Sequence, residues 1–216
     1  KVIAYQFSIV KKNQIGFFRK LKTDYNPDYI ATTGSIPYEN LKKKIKFSKI
    51  FKLGSPKHVK RLKTLVKTND LLVALPSEKK KLIDLLDFST QFAIKNNDFN
   101  IILRPHPILE NNLKLINKIK KRVKKIHNIS LSNNKLELDL KISRYLLYLD
   151  SAICITGLNY DVIPLFFKHK KNLNIFDNKF PVENIIQNET NLKEKLKIKK
   201  NLNREIYFEY FRNNYF

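Results

Sequence analysis

The chain has 216 residues, 43% of them hydrophobic and 29% charged, with a formal charge of +24. That apolar content excludes a disordered tail and supports a buried core of one domain or one and a half, while no apolar run approaches the ~18 residues of a membrane span. A single cysteine, Cys154, excludes a disulfide framework or a cysteine metal site within the chain and suits a reducing cytoplasm.

Short apolar runs, each of strand length, recur from the start. Val2 to Tyr5, Tyr29 to Thr32 and Ile50 to Leu53 come first, with two helical segments between them. Three strands are too few for a complete doubly wound domain, so residues 1–60 read as the end of an incomplete amino-terminal α/β domain. The start Lys1-Val2-Ile3-Ala4-Tyr5 has neither the apolar core nor the cleavage site of a signal peptide. A chain without any Met suits a segment of a longer protein. Between Gly54-Ser55-Pro56 and Asn69-Asp70 the apolar content gives way to Lys57-His58-Val59-Lys60-Arg61, which places a domain boundary there.

From residue 61 to 202 strands and helices take turns. The run Leu71 to Leu75 ends in Pro76-Ser77, with Ser77 a cap for a helix over 78–95, whose Leu82, Leu85, Leu86 and Phe92 recur at helical spacing. Ile101 to Leu103 comes next, ending in Arg104-Pro105-His106-Pro107. A buried strand that stops at this point delivers Arg104 and His106 to the carboxyl edge of a sheet, where open α/β sheets bind ligands. Each is followed by proline, so both lie in a stiff, extended segment suited to holding phosphate. The plainer alternative has Arg104 cap the next helix's carbonyls or pair with a carboxylate, and leaves His106 a satisfied loop residue.

A second helix spans 109–126, carried by Leu113, Ile116, Ile119 and Val123; a strand covers Ile129 to Leu131, and a third helix covers 136–149. The run Ala152 to Ile155 reads as a strand ending in Thr156-Gly157-Leu158-Asn159, with a helix from about Tyr160. A glycine at a strand-to-helix turn lets backbone N–H groups approach an anion, and Thr156 and Asn159 can reach phosphate or ribose or simply cap the turn. A last strand covers Leu173 to Phe176. The tail 203–216 carries Tyr207, Phe208, Tyr210, Phe211, Tyr215 and Phe216 and reads as an aromatic helix packing across the domain junction. Runs apolar throughout, separated by amphipathic helices, specify a mostly parallel sheet covered on both faces, a Rossmann-like α/β fold.

The charge has its own logic. Seven Arg stand among 43 basic residues, yet Arg is the residue that reads bases and clamps phosphate at two points. The excess of Lys, Asn and Ile suits drift toward A- and T-rich codons, and lysines such as Lys114, Lys118, Lys121 and Lys125 fall on a solvated helix face. No specific nucleic acid partner is expected, whereas weak attraction to anionic lipid at the inner face of a membrane is.

Arg-Pro-His-Pro at a strand end, followed some fifty positions later by Leu149-Asp150-Ser151-Ala152-Ile153-Cys154-Ile155-Thr156-Gly157, resembles the carboxyl-terminal half of GT-B fold glycosyltransferases, nearest the bacterial capsule, polysialic acid and teichoic acid transferases. Tyr5-Gln6-Phe7-Ser8, Pro27-Asp28-Tyr29-Ile30 through Gly34, and Leu53-Gly54-Ser55-Pro56 are similar to the closing strands of their amino-terminal domain. The resemblance covers residues 1–180. It implies a nucleotide-activated sugar or polyol phosphate as donor and a saccharide acceptor, with no metal and no further cofactor. Arg104, His106, Thr156, Gly157, Asn159 and Ser77 would hold the donor phosphates. No catalytic base stands out, because Asp161, His58 and Glu39 read as surface or capping residues. The chain departs from the pattern in having Phe7 where the family places His, Leu158-Asn159-Tyr160 in place of paired serines, and Pro164 or Leu165 near the ribose-binding acid. A divergent enzyme and a non-catalytic copy that keeps the fold both fit these departures.

Overall fold

In a computed structural model the chain divides into two compact units, Lys1–Arg61 with Asn203–Phe216, and Leu62–Leu202. The structure describes residues 1–6, 18–55, 66–149, 151–168 and 184–198. The expected strand Leu173 to Phe176 and the aromatic helix 203–216 lie outside them.

The first unit holds a parallel sheet of β1 (Ile3–Gln6), β2 (Tyr29–Thr32) and β3 (Lys49–Lys52), in that order, with α1 (Ser35–Lys44) between the last two. Ile30, Leu41 and Ile45 form its buried cluster, with Ala4, Phe18, Phe47 and Ile50 packed against it. Gln6 is buried at the end of β1, where its Oε1 accepts the Thr33 N–H at 3.2 Å. Gly54, just after β3, has a φ of +92°, a conformation glycine adopts without steric cost.

The second unit is a six-stranded parallel sheet. In chain order its elements are β4 (Asn69–Ala74), α2 (Lys79–Lys95), β5 (Ile101–Arg104), α3 (Leu113–Val123), β6 (Ile129–Leu131), α4 (Leu136–Ile142), β7 (Ser143–Tyr148), α5 (Ile153–Leu158), β8 (Ile163–Phe167), β9 (Ile185–Ile186) and α6 (Glu189–Lys197). The strand order is β6-β5-β4-β7-β8-β9. The chain moves outward from β4 to β6, returns, and continues from β7 on the other side, which is the doubly wound Rossmann arrangement with its switch point between β4 and β7. Leu71, Leu72 and Val73 are fully buried, as are Leu146, Leu147 and Tyr148. Central strands covered on both faces have to be apolar throughout. Leu82, Leu85, Phe92 and Ala93 turn the inner face of α2 into this core.

The sheet overturns two expectations. The segment 136–149 is not one helix: α4 ends at Ile142 and the chain runs straight into β7. Leucines at three- and four-residue spacing made the two readings alike, but Tyr145 through Leu149 are all buried, as a strand between two others demands and a helix with one solvated face does not. The shift carries forward. Ala152 to Ile155 is the start of α5, not a strand, and the helix expected from Tyr160 is the strand β8. Pro164 is tolerated in β8 because β9 pairs only with Phe166 and Phe167, leaving the outer side of Pro164 without a strand neighbour among the described residues. No helix among the described residues is long and apolar enough to cross a membrane.

Candidate functional site

Register decides which side chains share an edge. Ala74 of β4 lies beside Arg104 of β5 on one side and Tyr148 of β7 on the other, and the Leu75 N–H donates to the Arg104 carbonyl at 2.9 Å. The loops that leave these three positions therefore emerge together: Ser77 after β4, His106 after β5 and Ser151 after β7. With strands about 4.8 Å apart, β5 to β7 spans about 10 Å. This is the crevice at the switch point.

Arg104 is held from behind. Its Nη1 donates to Asp139 Oδ2 at 2.7 Å and to the Asn134 carbonyl at 2.9 Å. Asp139, on α4, has a side chain of 0% exposure. A buried carboxylate is tolerable only when paired and hydrogen-bonded, and this one also accepts from Ser132 Oγ at 2.5 Å and Asn134 Nδ2 at 3.0 Å. The alternative raised from sequence, a carboxylate partner for Arg104, is thus present. The Nε and Nη2 groups have no protein partner among the described residues, and the side chain keeps 13% exposure.

His106 is exposed, and its Nδ1 accepts the Ile108 N–H at 3.3 Å, capping the 3-10 turn Pro107–Leu109. A neutral ring accepting at Nδ1 carries its proton at Nε2, so an N–H donor remains for an anion. Ser77 is not the cap expected of it. The helix α2 starts at Lys79 behind Glu78, which makes no side-chain capping bond, and its first turn is Lys79-Lys80-Lys81 with no acidic residue. Lys81 Nζ lies 2.7 Å from Glu78 Oε2. The uncapped N–H groups and the positive end of a 17-residue helix thus adjoin the exposed Ser77.

Thr156, Gly157 and Asn159 are elsewhere. All three belong to α5 or its C-cap, and α5 runs back from the carboxyl edge of the sheet. A Cβ on Gly157 would stand 3.3 Å from Leu146 Cδ2 and 3.6 Å from Val162 Cβ, so this glycine admits close packing of α5 on β7 and faces no anion. Lys67, just before β4, donates to the carbonyls of Leu140 at 3.2 Å and Tyr160 at 2.7 Å. That ties the turn after α5, at Tyr160, to the segment before β4, on the amino side of the sheet. The structure brings Ser77, Arg104 and His106 to one edge, leaves Gly157 and Asn159 toward the other, and seats Thr156 between, half-buried in the helix.

Sequence reasoning missed Asp139, Ser132, Asn134 and Ser151. Asp139 left a trace, a carboxylate set between Leu138 and Leu140, whose burial makes sense once Arg104 needs a partner. Ser151 Oγ accepts the Ile153 N–H at 3.4 Å, doing at the start of α5 what was expected several residues later. Of the base candidates, Asp161 sits in the amino-edge turn with φ of +55°, and His58 lies outside the described residues. No group of three or more His, Cys, Asp or Glu among the described residues is placed to hold a metal ion.

No protein-family model and no curated protein matches this sequence. Solved structures match by shape. The wall teichoic acid polymerase TagF gives a TM-score of 0.53 at 17% identity, over 96% of this chain and 59% of its own. The Glycosylation Associate Protein (Gap123) complex from Streptococcus agalactiae gives 0.55 at 14% identity, over 85% and 41%. A point mutant of S. aureus TarM in complex with Fondaparinux, alpha-GlcNAc-glycerol and UDP gives 0.52 at 14% identity, over 87% and 40%. The chain therefore spans less than two thirds of each. What it shares with them is the fold: parallel α/β units matching the Rossmann-like domains of the GT-B type.

Proposed function

We propose that this chain is the donor-binding part of a glycosyltransferase-like protein that draws on a nucleotide-activated sugar or polyol phosphate to build cell-surface polysaccharide. The observation that carries the reading is the register of β5, β4 and β7, which sets Arg104, His106 and Ser77 around one switch-point crevice. The fold supports it. One neighbour is a wall teichoic acid polymerase, and another was solved with UDP and a glycosylated glycerol.

In that reading the free donors of Arg104, the Nε2–H of His106 and the amino end of α2 face the phosphates of the donor. Negative charge grows on the leaving phosphate as the sugar–phosphate bond of a sugar donor, or the phosphoanhydride bond of a polyol phosphate donor, breaks, and donors already in place stabilise that charge without reorganising. Removing one such donor from a working site costs about 10²–10³ in rate. Ser77 supplies a hydroxyl for a phosphate or sugar oxygen. The acceptor's general base is assigned to the remainder of a longer protein.

The test is thermal. CMP, CDP or UDP raises the Tm of the chain, and the double change Arg104→Ala with His106→Ala removes the rise. A chain indifferent to all three nucleotides overturns the proposal.

A further inference from the structure

A groove of about 500 Å³ lies apart from the crevice, between α2 and the turn that leads from β9 into α6. Asp84, Asp87, Phe88 and Gln91 line it from α2, Phe167 from the end of β8, Gln187 and Asn188 from the turn, and Glu189 and Thr190 from the start of α6. None of these residues belongs to the nucleotide crevice. The volume falls in the range of small-ligand sites, roughly 300–1,000 Å³.

Its chemistry narrows the ligand. Phe88 is half-buried and tilted 35° against Phe167, with ring centroids 4.5 Å apart, which gives the groove an apolar floor. Its acidic residues make a second nucleotide phosphate unwelcome. Two of the three are paired: Asp87 closely with Arg122, and Glu189 with Lys95 at 2.9 Å. A cation would therefore find little net charge. Paired carboxylates keep spare lone pairs, however, and accept from neutral hydroxyls.

The remaining lining is neutral and works in both directions. Gln91, Gln187 and Thr190 are exposed, and their side chains have no protein partner among the described residues. Asn188 uses Oδ1 to accept the Asn191 N–H at 2.9 Å, which leaves its amide donors uncommitted. Amides and a hydroxyl that both donate and accept, beside an aromatic face, complement a ring whose edge is hydroxyl and whose face is C–H. We infer that this groove is a subsite for neutral sugar residues, of mono- or disaccharide size. The inference rests on the groove's own lining and does not require the crevice to bind nucleotide.

Saturation-transfer NMR on the full chain tests it, with galactose, N-acetylglucosamine, glycerol, spermidine and UDP as separate probes. One or both sugars receive saturation on their ring C–H protons, and excess UDP does not compete. Phe88→Leu weakens that binding by roughly tenfold, the loss of one aromatic contact, and leaves any UDP-induced rise in Tm unchanged. Gln91→Ala and Thr190→Ala, both at exposed positions, weaken it as well and secure the test against misfolding at Phe88. The inference is overturned by no transfer to either sugar, by transfer that survives these changes, by competition from UDP, or by glycerol or spermidine binding as well as the sugars. The UDP arm reads the crevice alone, so a failure there is distinguishable from a failure in the groove.

Discussion

Arg104 shows how one side chain can meet a structural demand and still keep donors for the proposed ligand. Nη1 is committed to Asp139 and Asn134, and only the rest of the fork is left for a ligand. The network dictates the order of mutational damage. Asp139→Ala leaves the largely buried Arg104 charge unpaired and strands the Ser132 hydroxyl, and should lower stability by about 3–5 kcal/mol, the cost of breaking a buried pair from one side. Asp139→Asn keeps the shape and an acceptor and should cost less. Urea unfolding of the two variants measures both; equal stability would mean that the pair holds nothing. His106→Ala, at an exposed position, should leave the unfolding free energy within about 0.5 kcal/mol of the parent.

Among the elements, those with one clear period were legible and those without one were not. Leu82, Leu85, Leu86 and Phe92 announced α2 to within a residue, because a helix with one wet face must repeat every three to four positions. The strands β2 and β6 matched residue for residue, being short apolar runs bounded by polar turns. Ser143 to Leu149 defeated the same reasoning: a strand buried on both faces has no alternation, and its leucines and tyrosines continue the spacing of α4. That one misreading displaced the second phosphate loop, since Thr156-Gly157 looked like a turn only if a strand preceded it. Arg104 and His106 were legible as strand-end residues because Ile101, Ile102 and Leu103 end abruptly, with prolines to mark the stop. The corrected role of Gly157 can be checked. Gly157→Val pushes methyls into Leu146 and Val162, and overpacking of this kind costs about 1–3 kcal/mol. Thermal melts should show that loss with nucleotide binding intact, and loss of binding without destabilisation would return this glycine to the site.

For the molecule as a whole, double winding divides the labour of the sheet between its two edges. The amino edge is fastened by Lys67 to two carbonyls and by Asn128, whose Nδ2 gathers the carbonyls of Ala93, Asn96 and Phe99 at 3.0–3.1 Å. The carboxyl edge keeps donors in reserve. A nucleotide at a hundred times its Kd should stabilise the native chain by about 2.7 kcal/mol, which for a protein of this size raises Tm by about 5–11 °C. The charge of +24 acts elsewhere. Lys114, Lys118, Lys120, Lys121, Lys124 and Lys125 are all exposed on α3 and the turn after it, so flotation with anionic vesicles should be seen at low salt. It should vanish near 0.3 M salt, where screening shortens to about 6 Å, and it should be indifferent to Arg104→Ala. Binding that persists in high salt would point to a lipid-specific pocket.

A guanidinium already anchored through one nitrogen has surrendered its torsions before any anion arrives. Lysine at position 104 would carry the same charge on a stem that keeps its freedom until the moment of capture, at up to about 2 kcal/mol. Calorimetry on Arg104→Lys should accordingly find nucleotide affinity down by at least about tenfold, with the deficit appearing as entropy.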